Sequence, residues 1–348
     1  MKLRWGYFIS GCIIGLITLF QWVRAFPDGR LHITACNVGQ GDAFYIRFPD
    51  GRDMVVDGGP GEKVLECLGK AMPIIDRSID LVLLTHPESD HMAGLTAILS
   101  RYRVGTVLRS DVSKDTDGFR AFLAGMKRSG ATEKLLASGD SVDVGAVRLL
   151  TLWPSSEEVA ILKRAQEKES GAVAGMFTGM DQSAGGVVGD ESGSSTVSQS
   201  TVSVNDGSVV FLLSYGSFDM LFFGDADDRV QPMITLPKPA DGVVDVVKVP
   251  HHGAKAAFDR QWFTGLTSMI HTDNCRLCEG KSTEKQGEAG KPCCSTAILS
   301  VGKNSYGHPS QITLTRLQEA GFGALRTDQK GRITITTDGT TWDVKTEK

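Results

Sequence analysis

Apolar residues run along this chain in short stretches closed by glycine, proline or aspartate, with helical spacings between them. In "LHITACNVGQGDAFYIRFPDGRDMVVDGG", Leu31, Ile33 and Ala35 alternate with polar neighbours, and Ala43, Tyr45 and Arg47 do so less cleanly. Period-two patterning of this kind predicts strands. "PDGR" reads as a hairpin turn, and "DMVVDGG" as a third strand ending in a glycine turn. "KVLECLGKAM" is helical. "IDLVLLTH" is continuously apolar, the mark of a strand covered on both faces. "MAGLTAILSRY" predicts a helix and "VGTVLRS" a short strand. "GFRAFLAGMKRSG" predicts a helix with a glycine stop.

The character changes after "AVRLLTLWP". Residues 155–204 are rich in glycine and serine without a period, which predicts a flexible surface insertion or a binding loop. Order returns at "SVVFLLSYGSFDMLFFGDA", a hairpin of two apolar strands. A helix is expected next, then the strand "VVDVVKVPHHG". A cysteine-bearing loop over 271–296 precedes the strand "TAILSVG" and the helix "PSQITLTRLQEAG". Closing strands follow at "GALRTD" and "RITITTDG". Strands alternate with helices in both halves and no repeat is visible. Two packed sheets with helices outside satisfy this order, an α/β (α+β) domain over 31–342.

The N-terminus stands apart. Tyr7 to Val23 carries no charged residue, with Lys2 and Arg4 before it. This apolar helix predicts either a membrane anchor, held with its start in the cytoplasm by those basic residues, or a signal peptide over 1–25 cleaved near Ala25. Both place the remainder outside the cytoplasmic membrane, as an anchored or secreted domain. The net charge of -4 gives no global basic signature for nucleic acid. Of seven cysteines, Cys275, Cys278, Cys293 and Cys294 cluster late. Two disulfides pinning that loop, a zinc module, or free thiols are the alternatives.

Three strands end in polar clusters: His86, Glu88, Asp90 and His91 after "LVLLT", Asp225 after "MLFFG", and His251-His252 after "VVKVP". Neighbouring strands that terminate this way gather their side chains at one sheet edge. Carboxylates mixed with imidazoles suit Zn²⁺, Mn²⁺ or iron and not calcium. Asp57, at the end of "MVVD", is expected to hydrogen-bond a ligand or the glycine turn.

"THPESDHMAG" resembles the H-x-H-x-D-H signature of the metallo-β-lactamase superfamily. "CNVGQGDAFYIRFPDGRDMVVDGG", "LLTHPESDHMAG", "FFGDA", "KVPHHGAK" and "AILSVGKNSYGHPS" together resemble the hydrolase domain of the DNA-internalisation competence protein (ComEC family), over roughly residues 31 to 338. The resemblance implies an αββα sandwich and metal-assisted hydrolysis, in which a water of lowered pKa attacks a phosphoryl or acyl centre. It assigns Asp90, His91, Asp225 and one of His251 or His252 to one metal site, with Asp225 bridging to a second site at His86 and Glu88. Asp90 would orient the nucleophile. The spare histidine of the pair, or His308, would steady the leaving group, and Lys255 would contact a phosphate. DNA or another phosphodiester is the implied substrate, and no protein partner is deducible.

Two departures bear on the metal. Position 88 is Glu where the signature has His, and no histidine lies between His91 and His251. The expectation is therefore one tight Zn²⁺ or Mn²⁺ and one weaker site. The competence protein also has a multi-helix channel, whereas this chain has one apolar segment and is not itself a pore. A hydrolase of another ester, such as a lactone or phosphocholine wall polymer, and a catalytically weak domain binding DNA or a partner remain the alternatives.

Overall fold

Leu31, Ile33 and Ala35 turn inward from strand β1 (Leu31–Ala35), as their alternation predicts. The computed structural model describes residues 5, 7, 9–16, 26–73, 76–178, 203–270 and 295–348, apart from the side chains of 168–178. Strand β1 pairs antiparallel with β2 (Phe44–Arg47), and β2 with β3 (Asp53–Val56). The sheet then continues in parallel through β4 (Ser78–Leu84), β5 (Arg103–Arg109) and β6 (Thr132–Leu135). Helices α1 (Lys63–Ala71), α2 (Ser89–Arg101) and α3 (Asp117–Ser129) make the three crossovers and cover one face of this sheet. Parallel neighbours need such a crossover, because a tight turn cannot reverse the chain twice.

The second sheet runs β13-β12-β11-β10-β9-β8-β7. Its antiparallel half is β7 (Ser141–Val144), β8 (Val147–Trp153), β9 (Val210–Tyr215) and β10 (Phe218–Phe222). From β10 onward, β11 (Val246–Lys248), β12 (Thr296–Leu299) and β13 (Gly323–Arg326) are parallel. Strands β14 (Ile333–Thr337) and β15 (Trp342–Thr346) return to the first sheet beside β1. The two sheets face each other across one apolar core, in which Phe44 of β2 meets Phe222 of β10 edge-on at 5.3 Å. Burying each such ring contributes roughly 1.5–3 kcal/mol. Helices α5 (Arg260–Thr267) and α6 (Gln311–Glu319) cover the outer face of the second sheet. The layering is αββα.

The elements differ from expectation in four places. The stretch expected to be flexible over 155–204 opens with helix α4 (Ser156–Thr178). Val159 and Leu162, three apart, pack on Val112 and give its first turns a buried face. Residues 179–202 lie outside the described residues. After "FFGDA" there is only a 3₁₀ turn, Gln231–Met233, where a longer helix was expected; Pro232, Pro237 and Pro239 deny that segment backbone donors. The domain runs past residue 342, because β15 completes the first sheet. Cys36 and Cys67 form a disulfide that ties the end of β1 to α1, a pairing the sequence reading did not make. The late cysteines 275, 278, 293 and 294 lie outside the described residues. Residues 9–16 are helical, and among the described residues no helix is long and apolar enough to cross a membrane.

Candidate metal centre

The carboxyl ends of β3, β4, β10, β11 and β12 meet at one rim of the sandwich. Backbone packing without side chains makes the meeting possible. Gly94 of α2 lies against the turn after β3, where an added Cβ would stand 1.9 Å from the Gly58 carbonyl oxygen. Gly58 N–H in turn donates to His91 O at 2.6 Å, so the turn and the start of α2 hold each other. The loop between β1 and β2 joins through Asp42 N–H, which donates to Asp90 O at 3.2 Å.

Asp57 closes β3 with φ 55, an uncommon conformation for a residue with a Cβ. It aims the carboxylate inward, where it accepts from Thr85 N–H at 2.8 Å, from the Thr85 hydroxyl at 2.7 Å and from His91 Nδ1 at 2.8 Å. These bonds decide two tautomers. His91 Nδ1 must carry the proton it gives to Asp57. The Thr85 hydroxyl has spent its only hydrogen on Asp57, so its 3.1 Å contact with His86 Nδ1 is a bond donated by His86. A third tautomer follows from His252, whose Nδ1 lies 2.9 Å from Ser300 O, an atom that can only accept. In their neutral form all three buried imidazoles therefore turn an unprotonated Nε2 towards the centre. None of these Nε2 atoms has a hydrogen-bond partner, and Asp225 Oδ1 has none either.

His91 Nε2 lies 3.3 Å from Asp225 Oδ1, and His252 Nε2 lies 3.5 Å from Asp225 Oδ2 and 3.3 Å from Asp90 Oδ2. Buried lone pairs that converge and lack donors are the chemistry of a cation site. Among the described residues, ligand atoms of Asp42, His91, Asp225 and His252 fall within 4.8 Å of one another. The hydrogen bonds separate these four. Asp42 lies behind the rings, 3.3 Å from His252 Nδ1 and 3.8 Å from His91 Nδ1. Asp225 and Asp90 lie on the Nε2 side. The residues fitted to hold a divalent ion are thus His91, Asp225, His252 and Asp90, with His86 beside them, its ring 4.2 Å from that of His91.

The electrostatics agree. Burial works against charge on every group here, but Asp225 and Asp57 outweigh it and raise His91 well above the ordinary imidazole value. Asp225 and Asp42 likewise push His252 up to about 9. Burial would raise Asp90, yet His252, whose Nε2 lies 3.3 Å away, and the charge of His91 hold it below the usual carboxylate range. A surplus of carboxylate that draws protons to imidazoles is equally a field for a metal cation. His86 is the exception: burial and His91 lower it well below the ordinary value.

Other candidates fall elsewhere. Glu88 is not among the converging groups. It precedes the first turn of α2, and its side chain leaves the centre to pair with Lys114 at 2.5 Å. The ligand role expected for it is corrected accordingly. Of the histidine pair, His252 faces the centre. His251 is the partly exposed one, with Nε2 3.9 Å from Asp225 Oδ2, so the spare histidine is His251. Both have positive φ, 47 and 52, which lets consecutive residues diverge so sharply. His308 stands next to His251, ring centroids 5.4 Å apart. Its loop is stapled by Asn304, which accepts from His308 N–H at 3.0 Å and donates to His308 O at 2.7 Å. Lys255 is exposed and makes no hydrogen bond or ion pair among the described residues.

Two buried residues were missed. Asp42 is 2% exposed and Lys248 is 1% exposed. Lys248 is paired with Asp42, donates to Gly224 O at 2.6 Å and lies 3.6 Å from Asp225 Oδ1. Burial lowers its pKa, but Asp42 and Asp225 outweigh this and raise it.

Residues 36–174 match the family model of the metallo-beta-lactamase superfamily. That segment holds β2 to β6 of the first sheet, β7 and β8 of the second, and His86, Glu88, Asp90 and His91. The two-sheet αββα sandwich is the metallo-beta-lactamase arrangement. No curated protein matches the chain significantly. Similar solved structures include the metallo-beta-lactamase fold protein YhfI from Bacillus subtilis, 12% identical with a TM-score of 0.36, over 63% of this chain and 70% of that one. Igni18, a metallo hydrolase from Ignicoccus hospitalis, is 10% identical with a TM-score of 0.43, over 87% and 98%. CmlA, a diiron beta-hydroxylase from Streptomyces venezuelae, is 16% identical with a TM-score of 0.40, over 88% of this chain; the match spans 54% of CmlA.

Proposed function

We propose that the chain is a metal-dependent phosphodiesterase or nuclease that acts on DNA outside the cytoplasmic membrane, in a role related to DNA uptake. The observation that carries the metal-dependent reading is the set of three buried imidazoles with Nδ1 committed to protein acceptors and Nε2 unpartnered. A Zn²⁺ or Mn²⁺ ion held by His91, Asp225, His252 and Asp90 would lower the pKa of water and neutralise charge on a phosphoryl group. Asp57 and Ser300 keep the imidazoles oriented. Asp90, its side chain 32% exposed, is the carboxylate with access to substrate and can orient a nucleophile. His251, with Nε2 3.9 Å from Asp225 Oδ2, and His308 beside it would supply a proton or hydrogen bond to the leaving oxygen. The resemblance of five ordered motifs to those of the competence family supports DNA as substrate. The Cys36–Cys67 disulfide and the apolar segment before residue 25 support an oxidising, extracytoplasmic location.

The test is cleavage of single-stranded DNA by the full-length chain across a series of divalent metals. Cleavage that requires Mn²⁺ or Zn²⁺ and is lost in Asp225→Ala supports the proposal. Hydrolysis of a simple phosphodiester without cleavage of DNA would move the assignment to another ester. DNA binding without turnover under every metal would overturn the enzyme.

A further inference from the structure

We propose that Lys248 is the second cation of this centre, so that the site is built for one metal ion and one ammonium group. The inference rests on the metal-dependent reading above and deepens it.

Three observations converge. The first is position. In β11, Val246 faces the core between the sheets, while Val247 and Val249 face the outer helices. Alternation puts Lys248 on the inner face, at the end of the strand, where an apolar residue would continue the core. The second is partnership. The ammonium reaches across the sandwich to Asp42, in the β1–β2 loop of the first sheet, and is also within reach of Gly224 O and Asp225 Oδ1. Asp225 has one oxygen towards Nε2 of His91 and the other towards Nε2 of His252, so it is the group two ions would have to share. Lys248 draws on the same oxygen that faces His91.

The third is the lack, among the described residues, of ligands for a second ion. Beyond Asp225, a second site would use His86 and position 88. Glu88 is engaged by Lys114. Loop 110–116 that carries Lys114 is fixed in turn through Gln166, whose amide donates to Ser113 O at 2.7 Å. His86 is left as a single unsupported nitrogen. One imidazole and a shared carboxylate make a poor divalent site, and a fixed positive charge beside that carboxylate makes it poorer.

The charge arithmetic gives Lys248 a purpose. Asp42, Asp57, Asp90 and Asp225 bring four carboxylates into a buried volume. One divalent ion leaves two of those charges uncompensated, and the ammonium offsets one more. A lysine has fixed charge and needs no metal supply, so the inner half of the centre is assembled whenever the chain folds.

Metal counting on the intact chain tests this. The full-length protein, Lys248→Met and Lys248→Arg are loaded with Mn²⁺, freed of loose ions by gel filtration, and analysed for metal per chain. The same proteins are titrated against a chelator of known affinity. The expected result is one ion in the natural protein and in Lys248→Arg. In Lys248→Met the ion is held about tenfold more tightly, because a like charge a few ångströms away has gone. A lysine that merely propped up the site would give the opposite sign, with weaker binding in Lys248→Met. Weaker binding in a variant with native circular dichroism therefore overturns the proposal. Two ions in the natural protein overturn it as well, and that count stands even if Lys248→Met does not fold. No ion bound to the natural protein under any metal would instead remove the metal-dependent reading itself, and this inference with it.

Discussion

At the scale of the residue, the centre is governed by where protons sit. The single hydrogen of the Thr85 hydroxyl goes to Asp57, which obliges His86 to donate, while Asp57 takes the Nδ1 proton of His91. Asp57→Asn keeps the shape and changes the bonding, since an amide can offer His91 a donor where it needs an acceptor. Metal affinity should fall roughly 10–100-fold, the usual cost of losing a carboxylate behind a liganding imidazole; a chelator titration measures it, and an unchanged affinity would contradict the role given to Asp57. Most of these residues were visible in the sequence because they close strands. Glu88 shows the limit of that reading: spacing places a residue near a site, but the direction of the chain entering α2 decides where its side chain goes. Lys248 was overlooked although it stands alone in the apolar run "VVDVVKVP". A lone charge in a strand of the fully buried kind is itself a signal, because burying a cation without partners is prohibitive. Asp42, the partner, sits between glycine and a strand in "GQGDAFY" and looks like an ordinary turn residue.

At the scale of the element, the contact between α2 and the turn after β3 sets the position of His91. Gly94 admits no Cβ, with Gly58 O at 1.9 Å from where one would stand. Gly94→Ala should destabilise the protein by about 1–3 kcal/mol, as overpacking does, seen as a lower urea midpoint, and should weaken metal binding by shifting the helix start. The elements themselves were legible where the pattern was plain: the alternation of β1, and the continuous apolar runs of β4 and the β9–β10 hairpin. They were hidden where composition misled. Helix α4 shares its stretch with a glycine- and serine-rich run that masks the short pattern of Val159 and Leu162, and Pro232 looks compatible with a helix start until the later prolines are weighed.

At the scale of the whole molecule, the end of each sheet away from the centre carries a carboxylate pair across parallel strands. Asp53 accepts from Asp80 N–H at 3.1 Å and Asp80 from Asp53 N–H at 2.9 Å; Asp245 accepts from Asp219 N–H at 2.9 Å. Burial raises Asp53 to about 7 and Asp219 to about 6. The folded state therefore holds protons that the unfolded chain releases near 3.8. Their contribution is complete below that value and is lost as pH climbs through 6 and then 7. Asp219→Asn should thus gain on the natural protein between pH 5 and pH 8, by on the order of 1 kcal/mol. Urea midpoints at the two pH values check this; a constant difference would refute it. The overall layering was legible because alternation of strands and helices leaves few ways to bury every apolar face. The Cys36–Cys67 bridge was not, since its partners are near only once α1 has packed.

The centre takes His86, Asp90 and His91 from the first sheet and Asp225 and His252 from the second, so an ion bound there is held by the folded sandwich and by neither half alone. Binding and folding are then thermodynamically linked, and thermal stability becomes an assay that needs no substrate. An ion at a hundred times its dissociation constant should add about 2.7 kcal/mol. The rise in melting temperature, ranked over a series of divalent cations, would identify the ion the chain prefers before any substrate has been tried; a series that leaves the transition unmoved would mean the imidazoles hold nothing.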